Sequence, residues 1–87
     1  MLPDREMIRS AARQAASEIT GRPVRDGQRL ISSGLIDSLS VLRLIGELEG
    51  KLKILLPTET LQPDDFDDLD LIVETIERVG TPVVSTK

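Results

Sequence analysis

The apolar positions of this 87-residue chain fall into three stretches with helical spacing, separated by segments that contain proline and glycine. The first stretch runs from about Asp4 to Glu18, the second from Ser38 to Lys53, and the third from Leu69 to Val79. In each stretch apolar residues recur every three or four positions, which places them on one face of an α-helix. The pattern therefore predicts three amphipathic helices around a common core.

The second predicted helix has two different faces. Its core face carries five apolar residues: Val41, Leu44, Ile45, Leu48 and Leu52. Leu39 and Leu42 fall on the opposite face, near Arg43 and the two glycines Gly46 and Gly50. Glycine in a helix interior costs about 1 kcal/mol relative to alanine, and core packing does not explain glycines on an outward face. A partner could dock on this face, a loop or short helix could cover the leucines, or they could be scattered surface leucines that need no explanation. Fraying of the helix end is the alternative explanation for Gly50.

The connection from Thr20 to Asp37 is long for a compact domain, and long loops without secondary structure are usually functional. It contains several turn-forming residues: Gly21, Pro23, Gly27 and Gly34. Its apolar residues are expected to attach it to the core: Val24, Leu30, Ile31, Leu35 and Ile36. This connection should therefore be held in one conformation.

The connection between the second and third helices predicts one further short element. Ile54–Leu56 is expected to pack inward, Thr58–Gln62 to be a connection, and Pro63–Asp68 to form a short helical turn with Phe66 as a core anchor. The aspartates of this turn are Asp64, Asp65, Asp67 and Asp68. They lack the alternating ligands, central glycine and closing glutamate of a calcium loop, so no metal site is predicted. Asp67 or Asp68 is expected to cap the third helix.

The predicted fold class is all-α: a small helical bundle of three longer helices and one short helix, with a long loop between the first two. One domain is expected over residues 1–80, with a loose C-terminal tail at 81–87. The chain has no cysteine and no histidine, and its net charge is −4 with one aromatic residue. A Ser-His-Asp hydrolase is therefore excluded within this chain, and nucleic-acid binding and a membrane span are not expected. A cytoplasmic monomer is the expectation.

Candidate chemistry is concentrated in Gly34-Leu35-Ile36-Asp37-Ser38-Leu39. Asp37 is a good N-cap, because its carboxylate can accept from the free N–H groups of the first helical turn. Ser38 then occupies the first helical position with its hydroxyl outside the hydrogen-bond ladder. Helix starts favour negative charge, so Ser38 is predicted to be exposed and free to carry a phosphate ester.

At these residues the chain resembles the acyl and peptidyl carrier proteins, whose signature is a loop glycine followed closely by Asp-Ser-Leu. Gly34, Asp37, Ser38 and Leu39 match that signature in order. The resemblance extends over about Ile8–Val79 and includes the long first loop. The run Pro63-x-Asp65-Phe66-x-x-Leu69-x-x-Ile72 is similar to the junction before the last helix in carriers that are charged by AMP-forming ligases.

The resemblance implies that Ser38 is the attachment point of 4′-phosphopantetheine, which a phosphopantetheinyl transferase takes from coenzyme A. Asp37 would orient the helix start and help to position the metal-bound cofactor donor. The arm would hold an acyl or aminoacyl group as a thioester, supplied by an AMP-forming ligase and passed to downstream acyl-using enzymes. The chain itself would be no enzyme but a free-standing carrier in fatty acid, polyketide or nonribosomal peptide-type biosynthesis.

Partner contact is expected on the outward face of the second helix: Leu39, Leu42, Arg43 and Gly46, with a further contribution from Ile36. The chain departs here from fatty-acid-type carriers, whose second helix is strongly acidic, because Glu47 and Glu49 are accompanied by basic residues. Partners are therefore expected to recognise shape and the leucines more than net charge.

Two other classes of function remain open from the sequence. One is a helical protein-interaction adaptor in which Ser38 is never modified and Asp37 is only a helix cap. The other is a serine enzyme, which has little support in a chain without histidine.

Overall fold

The computed structural model describes residues 2–83 and contains three α-helices within them. Helix α1 spans Arg5–Thr20, α2 spans Ser38–Leu52 and α3 spans Leu69–Val79. Two 3₁₀ turns lie between α2 and α3, η1 at Thr58–Thr60 and η2 at Pro63–Phe66. The predicted helical fold is confirmed, and the short helical turn expected at Pro63–Asp68 is the 3₁₀ turn η2.

Each α-helix begins after a capping aspartate. Asp4, Asp37 and Asp68 accept hydrogen bonds from the backbone N–H groups three residues later, at 2.8–2.9 Å. Such a cap satisfies a donor that the helix itself cannot pair. Helix α1 continues past its predicted end to Thr20, where Gly21 takes the left-handed conformation with φ of 76°.

The core lies where α1 packs against both α2 and α3. Helix α1 contributes small side chains to this contact, with Ala12, Ala15 and Ala16 fully buried. Small residues allow helix axes to approach closely. The five apolar residues of the predicted core face of α2 are all buried, and Phe66 is fully buried as predicted. Within residues 2–83 no helix combines the length and the hydropathy needed to cross a bilayer.

A two-stranded antiparallel ribbon follows α2 and was not predicted. Strand β1, Ile54–Leu55, pairs with β2, Thr81–Pro82. Successive side chains of a strand point to opposite sides, so Ile54 is buried while Leu55 is 56% exposed. The expectation that all of Ile54–Leu56 packs inward was therefore wrong at Leu55. The first residues of the expected loose tail are paired, and residues 84–87 lie outside the described part of the chain.

The long loop between α1 and α2, residues 21–37, is attached to the far end of the chain by the carboxylate of Asp67. Asp67 Oδ1 accepts hydrogen bonds from the backbone N–H groups of Leu30, Ile31 and Ser32, at 3.2, 2.8 and 2.9 Å. The backbone carbonyl of Asp67 also accepts from Leu30 N at 2.6 Å. We refer to these contacts as the Asp67 clasp. It gives consecutive loop amides partners that no regular secondary structure supplies.

The clasp also has a charge partner. Arg29 Nη1 lies 3.6 Å from Asp67 Oδ2 and 3.5 Å from Asp68 Oδ2. The Arg29 side chain is more than half exposed, so these ion pairs contribute little on their own. The main stabilisation comes from the backbone amides, because hydrogen bonds to a buried charge are stronger than those between neutral groups.

The Asp67 clasp predicts acid sensitivity of the fold. Burial alone raises the pKa of Asp67, but hydrogen bonds from Ser32, Ile31 and Leu30 outweigh burial and leave the pKa below its usual 3.8. A carboxylate whose pKa falls on folding stabilises the protein above the unfolded value, and this contribution is lost as pH falls through the folded value. Denaturant unfolding of the wild type and Asp67→Asn, from about pH 7 to about pH 2, should show a stability difference that narrows only in acid. A difference independent of pH would contradict this.

Candidate functional site

Ser38 stands where the 21–37 loop becomes helix α2. It is the first residue of α2 and is exposed, as the sequence predicted. The turn that leads to it contains Gly34 with φ of 85°, a conformation that side-chain-bearing residues rarely adopt. The N–H of Ile36 then donates to the carbonyl of Leu30 at 2.8 Å, which closes the loop just before the helix. The loop conformation therefore decides where the hydroxyl of Ser38 is presented.

Asp37 caps α2 beside the serine. Its backbone is extended, and Oδ1 accepts from Ser40 N at 2.8 Å. Hydrogen bonding from the backbone N–H of Ser40 lowers the pKa of Asp37 below its usual value. The carboxylate is exposed and stays ionised at neutral pH. A negative charge therefore lies at the start of α2, on the residue that precedes Ser38.

A groove of about 210 Å³ opens beside Ser38, between α2 and the two 3₁₀ turns. Its lining is mostly apolar and consists of Ser38, Val41, Leu42, Ile45, Thr58, Leu61, Gln62, Pro63 and Phe66. A slender chain attached to Ser38 Oγ could lie along this groove and cover its apolar side chains. The sequence did not reveal the groove, because η1 and η2 approach α2 only in the folded chain.

The outward face of α2 presents an apolar surface next to the serine. Leu39 is 80% exposed and Leu42 is 61% exposed. Arg43 and Gly46 are exposed on the same face. Covering by a loop or short helix is wrong, because both leucines are mostly open to solvent; a docking surface and scattered surface leucines are the two explanations that are left. The two leucines with Arg43 and Gly46 are named the α2 face below.

Both glutamates of α2 interact with groups of the same chain. Glu47 Oε2 lies 3.8 Å from Arg43 Nε. Glu49 Oε2 accepts a hydrogen bond from the backbone N–H of Leu56 at 2.9 Å. Both glutamates are partly buried. The α2 face therefore offers an incoming protein apolar contact and one arginine rather than a row of free carboxylates.

One predicted partner contact was wrong. Ile36 was expected to contribute to partner binding, yet it is only 1% exposed and belongs to the core. Its N–H is bonded to Leu30 and its side chain packs inward, because it closes the 21–37 loop against the bundle. Ile36 therefore packs in the core and holds the end of the loop that leads to Ser38.

Asp67 is the residue next to the site that sequence reasoning missed. The sequence suggested only that Asp67 or Asp68 caps α3, and Asp68 is the cap. Its neighbour Asp65 is also occupied, since it accepts from Gln62 N and lies 3.7 Å from Arg78. Nothing local in the sequence distinguishes Asp67 from these neighbours, because its partners lie more than thirty positions earlier in the chain.

Comparison with known proteins gives a family that agrees with this geometry. The family model for the phosphopantetheine attachment site matches residues 10–76. The chain therefore belongs to the family of phosphopantetheine-bearing carrier proteins, whose members carry 4′-phosphopantetheine covalently and work with phosphopantetheinyl transferases and acyl-handling enzymes. Carrier domains of this family are typically non-catalytic. Searches of curated proteins and of solved structures gave no match.

The residues around Ser38 fit such a group. An exposed hydroxyl at the first position of α2 can carry a phosphate near the positive end of the helix dipole. The adjoining groove provides an apolar surface for the chain that follows the phosphate.

The glycines of the site predict opposite effects on stability. A Cβ at Gly46 would meet no atom within 4 Å, and Gly46 has an ordinary helical backbone. Gly46→Ala should therefore raise the free energy of unfolding by about 1 kcal/mol. Gly34→Ala, also in open space but at φ of 85°, should lower it by about 1–2 kcal/mol. Urea unfolding measures both.

A Gly46→Ala variant with a lower free energy of unfolding than the wild type would contradict this prediction. A stabilised Gly46→Ala that docks poorly with carrier-dependent enzymes would instead show that the glycine serves a partner.

Proposed function

We propose that Ser38 is the attachment point of the 4′-phosphopantetheine arm and that the chain is a carrier for acyl or aminoacyl groups. The observation that carries the proposal is an exposed serine at the start of α2, at the mouth of an apolar groove. The family match spans this residue. Once attached, the arm supplies a terminal thiol that holds the cargo as a thioester.

The attachment reaction requires little from the chain itself. Ser38 Oγ forms a bond to the phosphorus next to the pantetheine part of coenzyme A. The bond from that phosphorus to the bridging oxygen breaks, adenosine 3′,5′-bisphosphate leaves, and the hydroxyl proton is lost to the transferase. Asp37 keeps the helix start capped, and its carboxylate would be available to help position the metal-bound cofactor donor of the transferase. This chain thus contributes a positioned hydroxyl, and the transferase supplies the catalysis.

The α2 face is proposed to dock partner enzymes. Leu39 and Leu42 give contiguous exposed apolar contact immediately beside Ser38, and apolar residues at the centre of an interface carry most of its binding energy. Because Glu47 and Glu49 have partners within the chain, attraction to a basic enzyme surface is not the main source of affinity. An apolar surface with an acidic group opposite Arg43 is the complement that fits.

The cargo is proposed to come from an AMP-forming ligase, with an aminoacyl group as the first candidate. Support comes from the run of η2 and α3 that is similar to ligase-charged carriers, with Pro63 at the start of η2 and Phe66 buried beneath the groove. The pathway proposed for this carrier is fatty acid, polyketide or nonribosomal peptide-type biosynthesis. Assay of purified carrier with candidate ligases and acids would identify the pathway.

Attachment at Ser38 is tested by intact-mass analysis after incubation with coenzyme A and a phosphopantetheinyl transferase. We expect the wild type to gain one phosphopantetheine group and Ser38→Ala to gain none. Ser10→Ala, which removes an exposed serine from α1, is the matched control and should be modified like the wild type. An unmodified wild type would refute the proposal and favour the adaptor, whereas a modified Ser38→Ala would place the arm elsewhere.

Docking through the α2 face predicts a change in binding without a change in stability. The double variant Leu39→Ala and Leu42→Ala should raise the KM of the transferase for the carrier about tenfold, as for an interface hot spot. Its free energy of unfolding should change by no more than about 0.5 kcal/mol, because both side chains are already exposed. Met7→Ala removes a 57% exposed apolar side chain from α1 and should leave KM unchanged. An equal effect of Met7→Ala would argue against a specific α2 face.

A further inference from the structure

We propose that Asp67 is a positioning residue for Ser38, which holds the serine-bearing loop in the conformation that the modifying enzyme uses. This inference rests on the proposed function of Ser38. It assigns a role in the transfer reaction to a carboxylate that follows the serine by 29 positions and belongs to another element.

The hydrogen bonds that hold the loop converge on one atom of Asp67. Three consecutive loop N–H groups, those of Leu30, Ile31 and Ser32, converge on the single oxygen Asp67 Oδ1. Consecutive N–H groups of this kind form a concavity that suits an anion. In this chain the anion is a side chain, so the loop conformation depends on where Asp67 is held.

Asp67 is itself held firmly. It lies between η2 and α3, where its N–H donates to the carbonyl of Asp64 and its neighbour Asp68 caps α3. Thr75 on α3 donates from its hydroxyl to the carbonyl of Asp65 at 3.1 Å, which attaches η2 to α3. The carboxylate is therefore attached to the bundle by its own backbone, and the loop is fitted to it.

From the clasp to Ser38 the connection is short and continuous. Ile31 accepts from Gly34 N at 3.0 Å, which closes the turn that follows the clasped amides. Leu30 accepts from Ile36 N at 2.8 Å. Ile36 is buried and directly precedes the capping residue Asp37. Displacement of the clasped amides therefore moves the chain that leads into the first turn of α2.

The residue that precedes Asp67 in the chain belongs to the groove beside Ser38. Phe66, the residue before Asp67, is fully buried and lines that groove. Asp67 therefore binds the loop that leads to Ser38, and the adjacent Phe66 lines the groove in which an attached chain would lie. The position of the α2 face depends less on the clasp, because Leu42 lies in the second turn of α2 and that helix also packs against α1.

These relations predict which kinetic constant changes. Removal of the clasp should leave docking through Leu39 and Leu42 intact but let Ser38 adopt several positions relative to the bound coenzyme A. In the transferase reaction Asp67→Ala should lower kcat about tenfold with KM little changed, because small misplacements of a reacting group are costly. Asp67→Asn keeps an acceptor oxygen without the charge and should fall between Asp67→Ala and the wild type.

Two control variants separate positioning from loss of charge or stability. Asp64→Asn removes an exposed charge from the same 3₁₀ turn and should react like the wild type. Val73→Ala creates a cavity in the fully buried face of α3 and serves as a destabilised control without a change at the clasp. Kinetics should be measured at a temperature at which denaturation curves show all variants folded, with hydrogen exchange of the Leu30–Ser32 amides followed in parallel.

The outcomes are distinct. A kcat loss in Asp67→Ala, intermediate in Asp67→Asn and absent in both controls, with faster exchange at the loop amides, supports the inference. A folded Asp67→Ala with wild-type kcat overturns it, as does an equal kcat loss in Val73→Ala or an effect confined to KM. If Asp67→Ala does not fold, Asp67→Asn decides by the same criteria. A wild type that accepts no group overturns the proposed function first, and the inference with it.

Discussion

The constraint on which this structure depends is that the 21–37 loop must pair its backbone N–H groups without forming a helix or a sheet. An unpaired buried amide costs about as much as a lost hydrogen bond. The chain meets this constraint at the Asp67 clasp, where a carboxylate from the η2–α3 junction accepts from three consecutive loop amides. With the clasp in place, the loop closes through Ile36 and presents Ser38 at the start of α2. The position of Ser38 is thus set by contacts between segments that are distant in the sequence.

Helix α2 serves the core and the site at once. Its inward residues are buried against α1 and the 3₁₀ turns, while Leu39 and Leu42 remain in solvent next to Ser38. Its glutamates are paired with Arg43 and with the backbone of Leu56. The two glutamates of α2 are balanced by Arg43 and Lys51 on the same helix, so the proposed docking on the α2 face relies on apolar shape more than on charge. This distinguishes the chain from carriers whose second helix is strongly acidic.

Much of the fold followed from local rules. The three helices, the capping role of Asp37 and the burial of Phe66 were predicted because periodicity and capping act over a few residues. The family match agrees with the resemblance carried by Gly34, Asp37, Ser38 and Leu39. The assignment of Ser38 as attachment point stays a prediction until its modification is measured.

The errors share a cause. Ile36 was expected at a partner interface, but the loop folds back and buries it. Leu55 was expected in the core, but pairing with Thr81–Pro82 makes Ile54–Leu55 a strand, whose side chains alternate. The groove beside Ser38 and the role of Asp67 were not predicted at all. In each case the deciding contact joins segments that are far apart in sequence, and no local pattern reports it.

The sequence by itself determined which residues form helices, where those helices begin, and which serine is chemically free at a helix start, because these properties depend on neighbours within a few positions. Only the tertiary structure decided how the long loop is held, which apolar residues stay exposed, and that Ser38 lines an apolar groove. Those outcomes depend on hydrogen bonds and packing between distant segments, as in the bond from Ser32 N to Asp67 Oδ1.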